Sequence, residues 1–147
     1  SNIWNINLIS LKKIKIINFK KIENSKGAII KILNKNDKNF KKFGEIYFSE
    51  IKKNKIKGWN LHKKFFCHIT ICYGDLIVKL KNKKSKIKKI HLSILKPRLL
   101  IIPPGIWFSL TSKKNSMIVN ILSGIHDPKE SLKKEITKWK KKLKLEY

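Results

Sequence analysis

The sequence contains almost no arginine, although its positive charge is very large. Lys and Arg together number 36 against 9 Asp and Glu, giving a formal net charge of +27, yet Arg98 is the only arginine. Proteins that recognise nucleic acids favour Arg, whose guanidinium group makes bidentate contacts with bases and phosphates. The lysines are also spread along the whole chain rather than clustered. The composition therefore argues against a nucleic-acid-binding protein and indicates a strongly solvated surface.

Cysteine is also scarce: the chain has only Cys67 and Cys72. Without a second pair at a suitable spacing, these residues do not predict a metal site. Their separation corresponds to roughly 16 Å along one strand, which is too far for a disulfide. We therefore expect two core thiols in a cytoplasmic protein.

Long apolar runs are missing as well. A membrane-spanning helix needs about 20 consecutive apolar residues, whereas the most apolar stretch, Leu99–Ile106, is interrupted by Pro103 and Pro104. The N-terminus lacks the basic-then-apolar pattern of a signal peptide. These absences predict a protein that has no membrane partner.

What the chain does contain is a series of short segments that alternate apolar and polar residues. Its 147 residues, of which 41% are hydrophobic, can form a single domain over residues 1–147 with its own core. The segments recur about every ten residues with turn signals between them, which predicts a barrel or a double-sheet sandwich. The predicted strands are Ile3–Ile9, Lys13–Phe19, Ala28–Leu33, Phe43–Ile51, Lys57–Lys64 running on into Phe65–Tyr73, Leu76–Leu80, Lys86–Ile94, Arg98–Ile102, Trp107–Thr111 and Ser116–Ser123.

The pattern changes to that of a helix after the last strand. Asp127 at the N-cap, Pro128 at the first helical position and Glu130 at the third form a helix start. One apolar face follows at helical spacing, formed by Leu132, Ile136, Trp139 and Leu143. We predict an amphipathic helix over about residues 128–143 that packs on the barrel and exposes its lysines. The alternative interpretation is a basic helix that lies on an acidic membrane.

The stretch Lys57–Lys64 carries the most informative side chains. Gly58 precedes two polar residues, Asn60 and His62, which alternate with apolar ones. Residues two apart on a strand point to the same face of the sheet. If that face is the inside of a barrel, both side chains enter a common pocket.

Four segments of the chain occur in a characteristic order, namely Gly44–Phe48, Lys57–Lys64, Leu100–Trp107 and Asn120–Glu130. Together they resemble the RmlC-like cupins, that is, the dTDP-4-dehydrorhamnose 3,5-epimerase family and the related dTDP-sugar ketoisomerases. The chain looks most like the compact branch of that family. The resemblance implies an all-β cupin jelly-roll barrel, to which the C-terminal helix is added, and a homodimer with N-terminal strands at its interface.

The resemblance also implies catalytic roles. Epimerisation beside a ketone needs a base, an acid on the opposite face and stabilisation of the enolate oxygen. The position of the family's catalytic base is occupied here by Asn60, whose amide cannot abstract a proton. His62 matches the second histidine of the His-x-His found in the ketoisomerases, and it is the best candidate base because imidazole titrates near neutral pH. His126 lies close to the position of the family's acidic tyrosine, and Tyr47 matches a tyrosine on a neighbouring pocket strand.

Substrate-binding roles follow in the same way. Lys57 takes the place of an arginine that approaches the substrate, and Lys63 and Lys64 are candidates for contact with a pyrophosphate. Trp59 is a further candidate for substrate contact, with core packing as its alternative role.

No cofactor is expected. A cupin metal site needs three or four His or Glu ligands, and of the matching positions only His62 holds a good ligand. The other three are occupied by Asn60, Cys67 and Phe108. The resemblance therefore predicts an enzyme without a catalytic metal.

The leading interpretation is a nucleotide-sugar epimerase or isomerase that acts on a dTDP-4-keto-6-deoxyhexose in the biosynthesis of a cell-surface polysaccharide. Two alternatives belong to different classes. One is a sugar-binding cupin that has lost catalysis, as Asn60 in the base position suggests. The other is a basic nucleic-acid-binding barrel, which rests on charge alone.

Overall fold

The computed structural model describes residues 8–134, which form an all-β structure. One turn of 3-10 helix, Leu11–Lys13, precedes twelve strands in this region. The strands are β1 (Lys15–Asn18), β2 (Lys21–Asn24), β3 (Gly27–Ile30), β4 (Glu45–Ile51), β5 (Ile56–His62), β6 (Cys67–Tyr73), β7 (Asp75–Lys81), β8 (Lys88–Ser93), β9 (Arg98–Ile102), β10 (Trp107–Thr111), β11 (Ser116–Leu122) and β12 (Ser131–Lys133). No helix among these residues has the length and apolar character needed to span a membrane.

The strands form two five-stranded antiparallel sheets that face each other. The first sheet has the order β1-β9-β6-β11-β4, and the second has the order β12-β5-β10-β7-β8. β2 and β3 make a separate hairpin. From β4 onwards, successive strands alternate between the sheets, except that β7 and β8 are neighbours in the second sheet. This is a jelly-roll sandwich, and it confirms the predicted fold class.

The core lies between the two sheets and is built from alternate residues of each strand. In β11, Ile118 and Leu122 are buried in the core, whereas the neighbouring Val119 is partly exposed. Across the interior, β7 contributes Val78 and Leu80, both fully buried. Burying one such side chain stabilises the fold by roughly 1.5–3 kcal/mol. The shared apolar layer therefore holds the sheets together and fixes the strands that carry the site.

Several strand boundaries agree with the sequence prediction, and the differences have physical causes. β9 and β10 have the predicted bounds. β2 is not predicted from alternating apolar and polar residues, because all of its residues are exposed and it pairs only with β3. The predicted strand Ile3–Ile9 lies mostly outside the described residues, and its last two residues are not in a strand.

The prediction of a helix from Pro128 is wrong for the described residues. A single turn comes first, in which the Glu130 N–H donates to Asp127 O at 3.0 Å. β12 follows and pairs antiparallel with β5, and Lys134 and Trp59 exchange two backbone hydrogen bonds of 2.9 Å. The open edge of β5 supplies hydrogen-bond partners for the backbone N–H and C=O groups of this segment. This tertiary contact outweighs the local sequence preference for a helix. Residues 135–143 of the predicted helix lie outside the described part of the chain.

We predict that Leu80→Ala lowers the free energy of unfolding by about 2–5 kcal/mol, because it leaves a cavity between the sheets. The matched control is Leu95→Ala, since Leu95 is 92% exposed and its loss should change stability by less than about 0.5 kcal/mol. Urea denaturation of both variants measures the difference. Equal stabilities would contradict the assignment of the core.

Candidate active site

A pocket of about 370 Å³ lies between the two sheets. One wall comes from β4, β6 and β11 of the first sheet, and the other comes from β5, β10 and β12 of the second. Core residues Ile69, Leu110 and Ile118 line it together with exposed polar residues. The pocket therefore extends from the hydrophobic core to the surface.

The β5 wall carries the two polar side chains that the sequence analysis singles out, and both Asn60 and His62 line the pocket. β5 packs tightly on β10 because residue 58 is glycine, where a Cβ atom would meet Ser109 atoms at 2.8 Å. Trp59 alternates to the other face of β5, is 0% exposed and does not line the pocket. The structure thus does not bring Trp59 to the site, and packing is the role that its position supports.

His62 forms a hydrogen bond with a buried carboxylate. Its Nδ1 lies 2.7 Å from Glu130 Oε2, and the two side chains are 11% and 5% exposed. The other oxygen, Glu130 Oε1, accepts the N–H groups of Lys64 at 2.9 Å and Phe65 at 3.0 Å. A carboxylate can only accept, so it selects the tautomer with hydrogen on Nδ1. The His62 ring also stacks on Phe108 with 6.3 Å between centroids, and Nε2 keeps a lone pair for chemistry in the pocket.

A second polar group faces His62 from the first sheet. Tyr47 of β4 lines the pocket, and its Oη accepts a hydrogen bond of 2.8 Å from Asn120 Nδ2 of β11. Burial raises the pKa of the Tyr47 hydroxyl, and the nearby Cys67 thiol acts in the same direction, whereas the hydrogen bond from Asn120 opposes them. Tyr47 is therefore a neutral phenol at physiological pH, which suits a proton donor.

Two lysines bring positive charge to the pocket. Lys57 Nζ donates to Ser49 Oγ at 2.6 Å and to the Glu50 carbonyl at 3.1 Å, which holds the ammonium group against β4. Lys133 of β12 lies opposite Asn60 in the strand pairing and also lines the pocket. The other two lysines singled out from sequence are not among the lining residues: Lys63 Nζ donates to Lys129 O at 3.0 Å, and Lys64 contributes its backbone N–H to Glu130.

His126 lies at the exposed mouth of the pocket. Its backbone N–H donates to Glu45 Oε1 at 2.6 Å, which ties the segment after β11 to the start of β4. Its side chain lines the pocket but is more exposed than that of His62. The structure thus brings together Tyr47, Lys57, Asn60, His62 and His126.

Three residues of this site are not predicted from the sequence, namely Asn120, Glu130 and Lys133. The predicted helix start places Glu130 in its first turn, and the predicted helix exposes its lysines to solvent, so the incorrect helix conceals the site positions of Glu130 and Lys133. Asn120 stands in the middle of an alternating apolar strand with an inward register. A polar residue at an inward-facing position of a predicted strand is the sequence pattern that would identify Asn120.

One protein family matches this chain over most of its length. The family model described as "FdtA: WxcM-like, C-terminal" matches residues 12–143. No curated protein matches the chain significantly.

Three solved structures show the same fold. A dTDP sugar isomerase from Desulfovibrio desulfuricans G20 is 24% identical, with a TM-score of 0.77 over 84% of this chain and 85% of that one. A sugar 3,4-ketoisomerase from Thermoanaerobacterium thermosaccharolyticum, solved with TDP, is 21% identical, with a TM-score of 0.75 over 92% and 98%. A dTDP-4-dehydrorhamnose 3,5-epimerase from Sulfolobus tokodaii is 16% identical, with a TM-score of 0.77 over 89% and 82%.

We predict that the purified protein carries no catalytic metal. Between residues 8 and 134, no group of three or more His, Cys, Asp or Glu side chains is arranged to hold an ion. Elemental analysis of untagged protein should find no stoichiometric Zn, Fe or Mn. A metal that is retained on dialysis and lost in His62→Ala would contradict the prediction.

Proposed function

The chain belongs to the family described as FdtA: WxcM-like, C-terminal, and from this premise we propose that it is an isomerase acting on a dTDP-4-keto-6-deoxyhexose. Proteins of the same fold are named as a dTDP sugar isomerase, a sugar 3,4-ketoisomerase and a 3,5-epimerase. The observation that carries the proposal is His62, which is hydrogen-bonded to Glu130 and lines a pocket that Tyr47 lines from the opposite sheet.

The first step is removal of a proton from the carbon beside the ketone. His62 Nε2 takes this proton, the C–H electron pair forms a C=C bond, and the ketone oxygen becomes an enolate. Glu130 stabilises the resulting imidazolium through the hydrogen bond at Nδ1, as carboxylates do for catalytic histidines. Asn60 is on the same face of β5 and is suited to donate a hydrogen bond to the ketone oxygen, although it cannot act as the base.

The second step decides the product. If a proton returns to the opposite face of the same carbon, the product is an epimer, and Tyr47 on the facing sheet is the candidate acid. If the proton returns to the former ketone carbon while the proton of the neighbouring hydroxyl passes to the former ketone oxygen, the ketone has moved by one carbon. His126 at the mouth is suited to hold the substrate or to transfer a proton with solvent.

The pyrophosphate is assigned to the lysines of the pocket. Among residues 8–134, Lys57 and Lys133 are the lysines that line it. Charge-assisted hydrogen bonds from ammonium groups are the expected partners of phosphate oxygens. Because Lys63 and Lys64 do not line the pocket, their contribution is limited to attraction from outside it.

The wider setting is part of the same proposal. We expect a cytoplasmic enzyme of cell-surface polysaccharide biosynthesis, and the free thiols Cys67 and Cys72 fit a reducing compartment.

A homodimer is expected, and Phe43, Ile46 and Phe48 at the edge of the first sheet support it, because they are 55–70% exposed. A monomer by light scattering at micromolar concentration would contradict the dimer.

One observation favours a second function. Asn60 occupies the pocket position next to His62, and an amide binds a sugar hydroxyl or ketone without transferring protons. The alternative is therefore a cupin that binds a nucleotide sugar and does not turn it over.

We predict that wild-type protein exchanges deuterium from D₂O into the carbon beside the ketone of dTDP-4-keto-6-deoxyglucose, and that His62→Ala lowers the rate by about 10²–10⁴-fold, as expected for a positioned general base. Proton NMR of the sugar ring measures the exchange. The matched control is His91→Ala, because His91 lies outside this pocket and pairs with Asp75.

The variant Asn60→His separates the two functions. If wild type exchanges and His62→Ala does not, the chain is an enzyme with His62 as base. If only Asn60→His shows exchange, the natural protein is the binding cupin. Exchange in His62→Ala at the wild-type rate would contradict the mechanism.

We predict that Lys57→Ala weakens binding of a dTDP-sugar by roughly tenfold or more, since a hydrogen bond to a charged group contributes about 1.5–3 kcal/mol. Lys55→Ala is the control, because Lys55 is exposed nearby and does not line the pocket. Isothermal titration calorimetry measures both. Equal affinities for the two variants would remove Lys57 from the phosphate site.

A further inference from the structure

We propose that Asn120 is a positioning residue, which directs the hydroxyl hydrogen of Tyr47 into the pocket and so prepares Tyr47 to donate to the oxygen of the substrate ketone. The inference rests on the proposed function and adds a residue to its machinery. It depends on three features: the orientation of the Asn120 amide, the partners of that amide, and the hydrogen-bonding state of Tyr47.

The orientation of the Asn120 amide is fixed by a backbone group. Asn120 is 2% exposed, and its Oδ1 accepts the N–H of His68 in the neighbouring strand β6 at 3.1 Å. A backbone N–H can only donate, so the amide oxygen must face it. The amide nitrogen therefore points the other way, towards Tyr47 Oη at 2.8 Å.

Both ends of the Asn120 amide therefore have a partner. The oxygen serves the His68 N–H, and the nitrogen serves Tyr47 Oη. Rotating the amide would place its nitrogen opposite the His68 N–H, so that two donors would face each other and the buried N–H would lose its acceptor.

This arrangement decides what Tyr47 offers to a ligand. A phenol oxygen that accepts from Asn120 keeps its own hydrogen for another acceptor. Among residues 8–134, no group accepts a hydrogen bond from the Tyr47 hydroxyl. Because Tyr47 lines the pocket, a ligand in the pocket can accept this hydrogen. Because burial also raises the pKa of Tyr47, the hydrogen remains in place at neutral pH.

The consequence is a donor that is oriented before the substrate arrives. Oriented donors stabilise charge that develops on an oxygen without the cost of reorganisation. His62 offers a lone pair from the β5 wall, and Tyr47 offers a hydrogen from the β4 wall. Glu130 and Asn120 have matching roles, since each fixes the hydrogen-bonding state of one catalytic group.

The test reverses the polarity of the amide at constant shape. In Asn120→Asp, one oxygen still accepts the His68 N–H, and the second oxygen accepts the Tyr47 hydroxyl instead of donating to it. The Tyr47 hydrogen then turns away from the pocket. We expect kcat for the dTDP-4-keto-sugar to fall by about 10²-fold, the effect of losing one donor to an oxyanion, with KM little changed.

Ultraviolet titration of tyrosine gives a readout that does not depend on activity. The Tyr47 signal is obtained by subtracting the curve of Tyr47→Phe. We expect the pKa of Tyr47 to rise in Asn120→Asp, because a donor to the phenolate is lost and a negative charge is added. Asn120→Ser also removes the amide donor, should raise the same pKa, and serves if the Asp variant does not fold. Asn115→Asp is the control, since Asn115 is exposed and its Oδ1 accepts the Lys53 N–H at 2.8 Å.

The double variant Tyr47→Phe/Asn120→Asp completes the experiment. If Asn120 acts through Tyr47, the double variant is no slower than Tyr47→Phe alone, because coupled residues are not additive. Additive losses, or an unchanged Tyr47 pKa in both Asn120 variants, would overturn the inference while leaving the isomerase proposal intact. A wild-type protein that lacks turnover but whose Tyr47 titration responds as expected would overturn the isomerase proposal and the catalytic role of Asn120, and would leave the orientation of Tyr47 supported.

Discussion

The candidate site depends on the hydrogen bonds that the carboxylate of Glu130 accepts. This carboxylate is buried, and its two oxygens accept from His62 Nδ1 and from the N–H groups of Lys64 and Phe65. Three donors satisfy a charge that would otherwise be costly to bury. The same contacts hold the end of the described chain against β5 and the segment after it. One side chain thus anchors the segment that leads into β12 and sets the tautomer of the candidate base.

The rest of the site follows from the way in which two sheets face each other. Alternation along β5 directs Asn60 and His62 inward, and the same rule directs Tyr47 of β4 and Asn120 of β11 inward from the other side. The apolar core beneath them keeps the walls at a fixed separation. A base and a donor therefore approach a ligand from opposite sides, which is the arrangement that proton transfer beside a ketone needs.

The sequence predicts the parts of this structure that depend on local alternation. The inward pair at residues 60 and 62 follows from strand periodicity, and β9 and β10 have their predicted bounds. The prediction failed where a distant contact decides the outcome. Asp127 and Pro128 do start a turn, but the open edge of β5 then takes the chain as a strand. Because a helix was assigned there, neither the pairing of Glu130 with His62 nor the pocket position of Lys133 was predicted. Trp59 shows the same limit, since periodicity gives its face but not what packs against it.

The central claim is that Glu130 holds His62 with hydrogen on Nδ1 and a free lone pair on Nε2. A long-range proton–nitrogen NMR spectrum of the imidazole groups in mildly alkaline solution tests it most directly, with the His62 signals assigned by their loss in His62→Ala. The account predicts a protonated Nδ1 and an unprotonated Nε2 for His62. A spectrum with hydrogen on Nε2 and a bare Nδ1 would contradict the account, because His62 could then neither donate to Glu130 nor accept a proton from the substrate through Nε2.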